Sequence, residues 1–198
     1  FIFKNDVEKA NYYLARFSRL MRDSLQFSRI KYISLAQELT FLNNYLHLEQ
    51  MRFPQKFDYQ LLIDEEMPTE AYLIPALLLQ PILENIIKHA FKDLTYKGNI
   101  YLEIIEKVTE KELHILIRDN GPGLGPMDQL EASASIEDAS YGLKIIRERI
   151  QLLNHGQQKA ATTFEMKNLS LQQDGQTGLQ VEFTIPLKTR DDIKSRNH

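Results

Sequence analysis

Leu113-His114-Ile115-Leu116-Ile117-Arg118-Asp119-Asn120-Gly121-Pro122-Gly123-Leu124-Gly125 is the stretch whose pattern decides the fold. Leu113, Ile115, Ile117 and Asp119 share a parity, so an extended strand puts all four on one face. A carboxylate at the margin of an otherwise apolar face costs free energy unless a donor meets it. The exocyclic amine of adenine is a fitting donor. The glycines that follow let backbone lie close to a bound ring and permit positive φ, although a Gly-Pro-Gly turn by itself is as readily only a turn.

Upstream, the alternation continues from Ile100 to Val108, joined to this strand through Thr109-Glu110-Lys111-Glu112 as a hairpin. Phe57, Tyr59, Leu61 and Ile63 form an earlier strand. Between them the spacing predicts a helix from about Pro75 to Phe91, with Pro81 in or near a break. Downstream, Gly121 to Ser140 has no sustained period and is long for a connection, as functional lids and disordered segments are. A helix follows from Gly142 to Asn154, then strands at Thr162–Lys167 and Leu179–Leu187. The sum is an α+β domain over residues 54–188, with a polar tail at 189–198.

Ahead of that domain lies a helical arm, residues 1–53. Ala10, Leu14, Phe17, Met21 and Leu25 recur at helical spacing, and a second helix starts at Ser34, with Gln37 three residues on to close a capping box. Leu35, Leu39, Leu42, Leu46 and Phe53 are its apolar residues. Neither helix can bury its stripe alone. Two readings stay open: a cap packed on the following domain, or a dimerising stalk.

The helix before the hairpin carries Glu84, Asn85, Lys88 and His89 among Ile82, Leu83, Ile86 and Ile87. Residues three and four apart share a face, so Asn85, Lys88 and His89 are expected together, with Glu84 in reach of Lys88. Phosphate and magnesium would complete such a face, Asn85 offering an oxygen to the metal and Lys88 a charge to phosphate. A helix surface facing water is the competing reading. Gly142-Leu143 opens the later helix, whose N-terminal amides suit phosphate.

Composition narrows the remaining classes. The 198 residues are 43% hydrophobic and 26% charged, as a folded protein is. There is no cysteine, which excludes thiolate chemistry and disulfide scaffolds. A net charge of -3 gives no reason to expect nucleic acid. No apolar run is long enough to cross a bilayer, and the chain opens Phe1-Ile2-Phe3 without a methionine, as a piece of a longer protein would. No G-x-x-x-x-G-K-[ST] run is present, and no G-x-G-x-x-G follows a strand.

In order, Leu79–Ala90, Asp119–Gly123 and Gly142–Ile150 resemble the nucleotide boxes of the gyrase, chaperone and histidine-kinase ATPase superfamily. More narrowly, with Tyr45-Leu46-His47-Leu48-Glu49-Gln50-Met51-Arg52-Phe53 in the arm, the chain resembles the LytS-type sensor histidine kinases. The resemblance implies a Bergerat-type two-layer sandwich, a mixed sheet with helices on one face. It implies ATP and Mg2+ as ligands: Asn85 on the metal, Lys88 on phosphate, His89 near ribose or base, Asp119 on adenine, and Gly121 and Gly123 lining the pocket. Gly142 and Leu143 would border the phosphates beneath a lid from about Met127 to Tyr141. Glu84, Asn85 and Lys88 would be the catalytic set.

Further implications concern partners. The resemblance implies a homodimer through the arm, a LytTR-type response regulator as recipient, and a cytoplasmic domain whose full-length parent is anchored in the bacterial membrane. Hydrolysing members of the superfamily carry a carboxylate one turn before the asparagine, where this chain has Pro81, so slow hydrolysis is expected. None of His47, His89, His114, His155 or His198 stands in a Pro-His-Phe segment. The acceptor histidine is therefore expected upstream of this chain, and the chain by itself is expected not to autophosphorylate.

Overall fold

The computed structural model describes residues 2–123, 141–154, 161–171 and 176–189. A long helix, α1 (Ile2–Phe27), leads through β1 (Tyr32–Ser34) into α2 (Leu35–Arg52). Ser34 caps α2 as the sequence predicts: its Oγ accepts from the Gln37 amide at 3.2 Å, and the Gln37 side chain accepts from the Ser34 amide at 2.9 Å. Next come β2 (Phe57–Ile63), β3 (Leu73–Pro75), α3 (Gln80–Asn85) and a π-helical turn (Ile86–Ala90). The hairpin β4 (Gly98–Lys107) and β5 (Glu112–Asp119), helix α4 (Tyr141–Asn154), and strands β6 (Thr163–Asn168) and β7 (Leu179–Pro186) complete the order.

Five strands form one sheet in the order β2-β4-β5-β7-β6, with β2 parallel to β4 and every other pair antiparallel. β1 and β3 make a separate small antiparallel ribbon. Alternation sends Leu113, Ile115, Ile117 and Asp119 inward on β5, opposite Ile185, Phe183 and Val181 of β7 and Ile104, Leu102 and Ile100 of β4. Ile82, Leu83, Ile86, Ile87, Ile146 and Ile150 from the helices cover that face. Each such side chain contributes roughly 1.5–3 kcal/mol by leaving water.

The two arm helices behave differently. Leu35, Phe41, Leu42 and Leu46 of α2 are buried in the same cluster as the sheet, so α2 is part of the domain's core. α1 rests on α2 through Arg16, whose guanidinium donates to Asn44 Oδ1 at 3.0 Å, and leaves Val7, Leu14, Phe17, Met21 and Leu25 exposed.

Two expectations about residues 75–91 need correction. No helix begins at Pro75: residues 73–75 pair with β1, Leu77 takes a positive φ of 54°, and α3 starts only at Gln80. The helix also does not stay α to Phe91. Its last turn is π-wound, and the Phe91 amide reaches back to Ile86 O at 2.9 Å. A π turn inserts a residue and offsets the side chains beyond it, and such turns recur at functional sites.

Candidate nucleotide site

The site is built between α3 with its π turn and the end of β5. Asp119 is 4% exposed, and its Oδ1 accepts from the Gly121 amide at 2.7 Å. Burial pushes the carboxyl up to about 6, against the pull of the Gly121 and Leu179 backbone amides. Among the described residues no lysine or arginine contributes to that balance, so the carboxylate holds acceptor capacity in a dry place.

On the facing helix, Asn85 Nδ2 is buried and has no hydrogen-bond partner among the described residues. A buried amide nitrogen left unmatched costs about 1–3 kcal/mol, and an acceptor from outside the chain would relieve it. Glu84 is held from both sides along its own helix, its two oxygens accepting from Gln80 Nε2 at 2.7 Å and Lys88 Nζ at 2.8 Å. Glu84 therefore reaches Lys88 as the spacing predicts. Lys88 and His89, in contrast, are both exposed on the π turn, while the Asn85 amide turns inward.

The glycines are explained by the protein's own packing. A Cβ on Gly121 would lie 2.9 Å from Ala90 Cβ and 2.9 Å from Asp119 Oδ1, so only a glycine lets the loop pass between the π turn and β5. Gly123 has a positive φ of 77°, and Asn168 and Ser170 fill the space beside it. Asn120 fastens the loop to the sheet by accepting from the Asn99 amide at 2.6 Å and donating to Lys97 O at 3.2 Å. Gly142 and Leu143 fall in the first turn of α4, and their side chains lie outside the described residues, as does the expected lid segment 127–140.

Sequence reasoning missed Gln80, Asn120 and Gly178. A cavity of about 300 Å3 also touches Asp119, but Asn99, Tyr101 and Arg118 line it from the sheet's outer parity, and neither Asn85 nor Gly121 does. It is separate from the interval between α3 and β5.

Residues 75–189 match the family of histidine kinase-, DNA gyrase B- and HSP90-like ATPases, and residues 1–57 match the histidine kinase family. The chain belongs to the LytS-type histidine kinases. The sensor protein LytS of Bacillus anthracis is 29% identical over 189 residues, covering 96% of this chain and 31% of that protein. LytS of Staphylococcus haemolyticus is 40% identical over 119 residues, 60% of this chain and 20% of its own length. Bacillus subtilis YwpD is 33% identical over 147 residues, 74% of this chain and 51% of YwpD. The chain thus spans about half or less of these relatives. Among solved structures, the histidine kinase domain of the Erythrobacter litoralis EL346 blue-light activated kinase superposes with a TM-score of 0.54 at 21% identity, covering 78% of this chain and 62% of that one. At that identity the likeness bears on the fold, and it agrees with the mixed sheet described above.

The match over residues 1–57 overturns one expectation. The chain matches the histidine-kinase region as well as the ATPase region, so the acceptor belongs within this chain and not upstream of it. The expected inability to autophosphorylate falls with it. A Pro-His-Phe tripeptide was too local a marker for a region spread over two helices. The histidine within residues 1–57 is His47, on α2, edge-on to Tyr12 with ring centroids 6.1 Å apart. Desolvation, with Arg16 nearby, holds its imidazole below the usual histidine range.

The described residues also fit the ligands this family implies. Magnesium held largely by phosphate oxygens and water needs only one or two protein oxygens, and the Asn85 side chain on α3 can supply one. Among the described residues, no helix is long and apolar enough to cross a membrane.

Proposed function

We propose that this chain binds ATP with Mg2+ between α3 and the end of β5 and transfers the γ-phosphoryl group to a histidine of the chain, for relay to an aspartate of a response regulator. The observation that carries the reading is two buried polar groups near each other in the fold: the Asp119 carboxyl, with acceptor capacity beyond the Gly121 and Leu179 amides, and the Asn85 donor, without a partner among the described residues. Adenine's amine answers the first. In this reading Asn85 holds the metal, Glu84 orients the reacting groups, Lys88 and His89 attend the phosphates and sugar from the rim, and Gly142 with Leu143 opens α4 toward phosphate. Bound magnesium would spread the charge that develops on the phosphate oxygens, and the protein's share of the work is positioning. A LytTR-type response regulator is the proposed recipient. Anchorage in a membrane would come through parts of a longer protein.

The test is incubation of the chain with γ-labelled ATP and Mg2+. Acid-labile label on the chain is the expected result, and peptide mapping together with His47→Gln reads which histidine carries it. Unlabelled chain that still binds nucleotide would sink the transfer step and leave a binding module.

Dimerisation through α1 is the second part of the proposal. Val7, Leu14 and Met21 recur at seven residues and are 58%, 58% and 45% exposed, with Phe17 and Leu25 beside them, which is an unburied heptad seam. Leu14→Glu combined with Met21→Glu is expected to weaken the dimer by at least about 100-fold, read by sedimentation, since two charges would enter each apolar seam. An unchanged sedimentation coefficient at micromolar concentration would show the seam to lie elsewhere.

A further inference from the structure

Glu38 is fully buried, with 0% of its surface exposed, and the chemistry proposed above makes no use of it. It sits in the first turn of α2. Its two carboxylate oxygens accept from consecutive parts of one turn, Oε2 from the Leu77 amide at 2.9 Å and Oε1 from the Leu79 amide at 3.1 Å. The positive φ of Leu77 bends the turn so that its amides converge on the acid. On the turn's other side, the Arg149 guanidinium of α4 donates to Leu77 O at 3.4 Å, and its charge acts favourably on Glu38. Leu79 is the cap residue of α3, and no side chain within α3 caps it.

A buried acid is expensive, and this one is pushed up to about 7 by its burial. Its oxygens nevertheless hold the turn that leads into the helix bearing Glu84 and Asn85, and the same turn takes Arg149 of α4 on its Leu77 carbonyl, so the arm helix, α3 and α4 meet at one turn. We propose that Glu38, the Leu77–Leu79 turn and Arg149 form a three-way clasp through which arm helix α2 sets the position of α3, and with it Asn85, for nucleotide binding. Glu38 is then a positioning residue, acting on the ligand only through the turn. The inference rests on the nucleotide-site reading.

The clasp needs two acceptor oxygens. Glu38→Gln keeps the volume but aims an amide NH2 at one of the turn's own amides, so one of the two hydrogen bonds is lost and the start of α3 shifts. The experiment is calorimetric titration of the full chain with Mg2+ and a non-hydrolysable ATP analogue, for wild type, Glu38→Gln, Arg149→Gln and the double variant, alongside thermal unfolding. The expected result is about a tenfold loss of affinity in Glu38→Gln with a midpoint close to wild type. The double variant should be no worse than about twofold beyond it, since one clasp is broken only once. Wild-type affinity in a folded Glu38→Gln protein, or losses that multiply in the double variant, would overturn the clasp. Failure of the wild type to bind would overturn the nucleotide-site reading itself, and the clasp's role in it, before any variant is compared.

Discussion

Asp119→Asn is expected to lower the affinity for ATP by about 100-fold or more while leaving the melting temperature within a few degrees of wild type. The carboxylate is already committed to the Gly121 and Leu179 amides, and it must also accept from adenine's amine. An asparagine has one oxygen for these donors and turns an NH2 toward at least one of them, and a buried donor facing a donor costs roughly 2–4 kcal/mol. Stability is spared because the same change removes a buried charge.

The pH dependence separates binding from folding. Burial raises Asp119 from 3.8 to about 6 in the folded chain, so its contribution favours the folded state below pH 3.8 and is lost as pH rises through about 6. That shift corresponds to about 3 kcal/mol. Nucleotide affinity should move in the opposite direction, falling as pH drops below about 6 and the acceptor is protonated. Titration at pH 5.5 and 7.5 would check this, and the Asn variant should lack the component. Equal affinity of variant and wild type at pH 7.5 would remove Asp119 from the site.

What could be read ahead of the structure was local. The parity of Leu113, Ile115, Ile117 and Asp119 is a property of consecutive residues, and the strand delivers it, buried acid included. Ser34 and Gln37 cap α2 for the same reason. The π turn was not legible, because Ile86–Ala90 has good α periodicity and the inserted residue answers to packing between β4 and the Asp119 loop. Glu38 left a trace that was overlooked. It stands three residues after Leu35 and four before Leu42, on the apolar stripe of α2, where a lone acid signals a buried acceptor. Its partners, the amides of residues 77–79, have no side-chain signature at all. The start of α3 was misplaced by five residues for that reason: the turn before it is shaped by a carboxylate about forty positions away in the chain.

Gly178→Ala is expected to be the most damaging single methyl in the described structure. The added Cβ would lie 1.9 Å from the carbonyl oxygen of Asp119, 2.7 Å from its carbonyl carbon and 3.1 Å from its Oδ1. Two of these are backbone atoms of the central strand β5, which is paired on both edges by β4 and β7 and cannot step aside. The residue also has φ of 112°, where a side chain is strained whatever the space. Overpacking and strain together come to about 4 kcal/mol, a large share of the roughly 5–15 kcal/mol that holds a domain folded. At about 2–4 °C per kcal/mol for a chain of this size, the melting temperature should fall by about 10–15 °C. Function should suffer beyond stability. Gly178 O receives the Leu169 amide at 2.9 Å, and the next residue, Leu179, lends its amide to Asp119, so displacing Gly178 pulls a donor from the acid and loosens the β6 end together. The checks are thermal unfolding and nucleotide titration below the transition. A variant that melts like wild type would mean that β7 does not begin against Asp119, and the carboxylate's enclosure would need another cause.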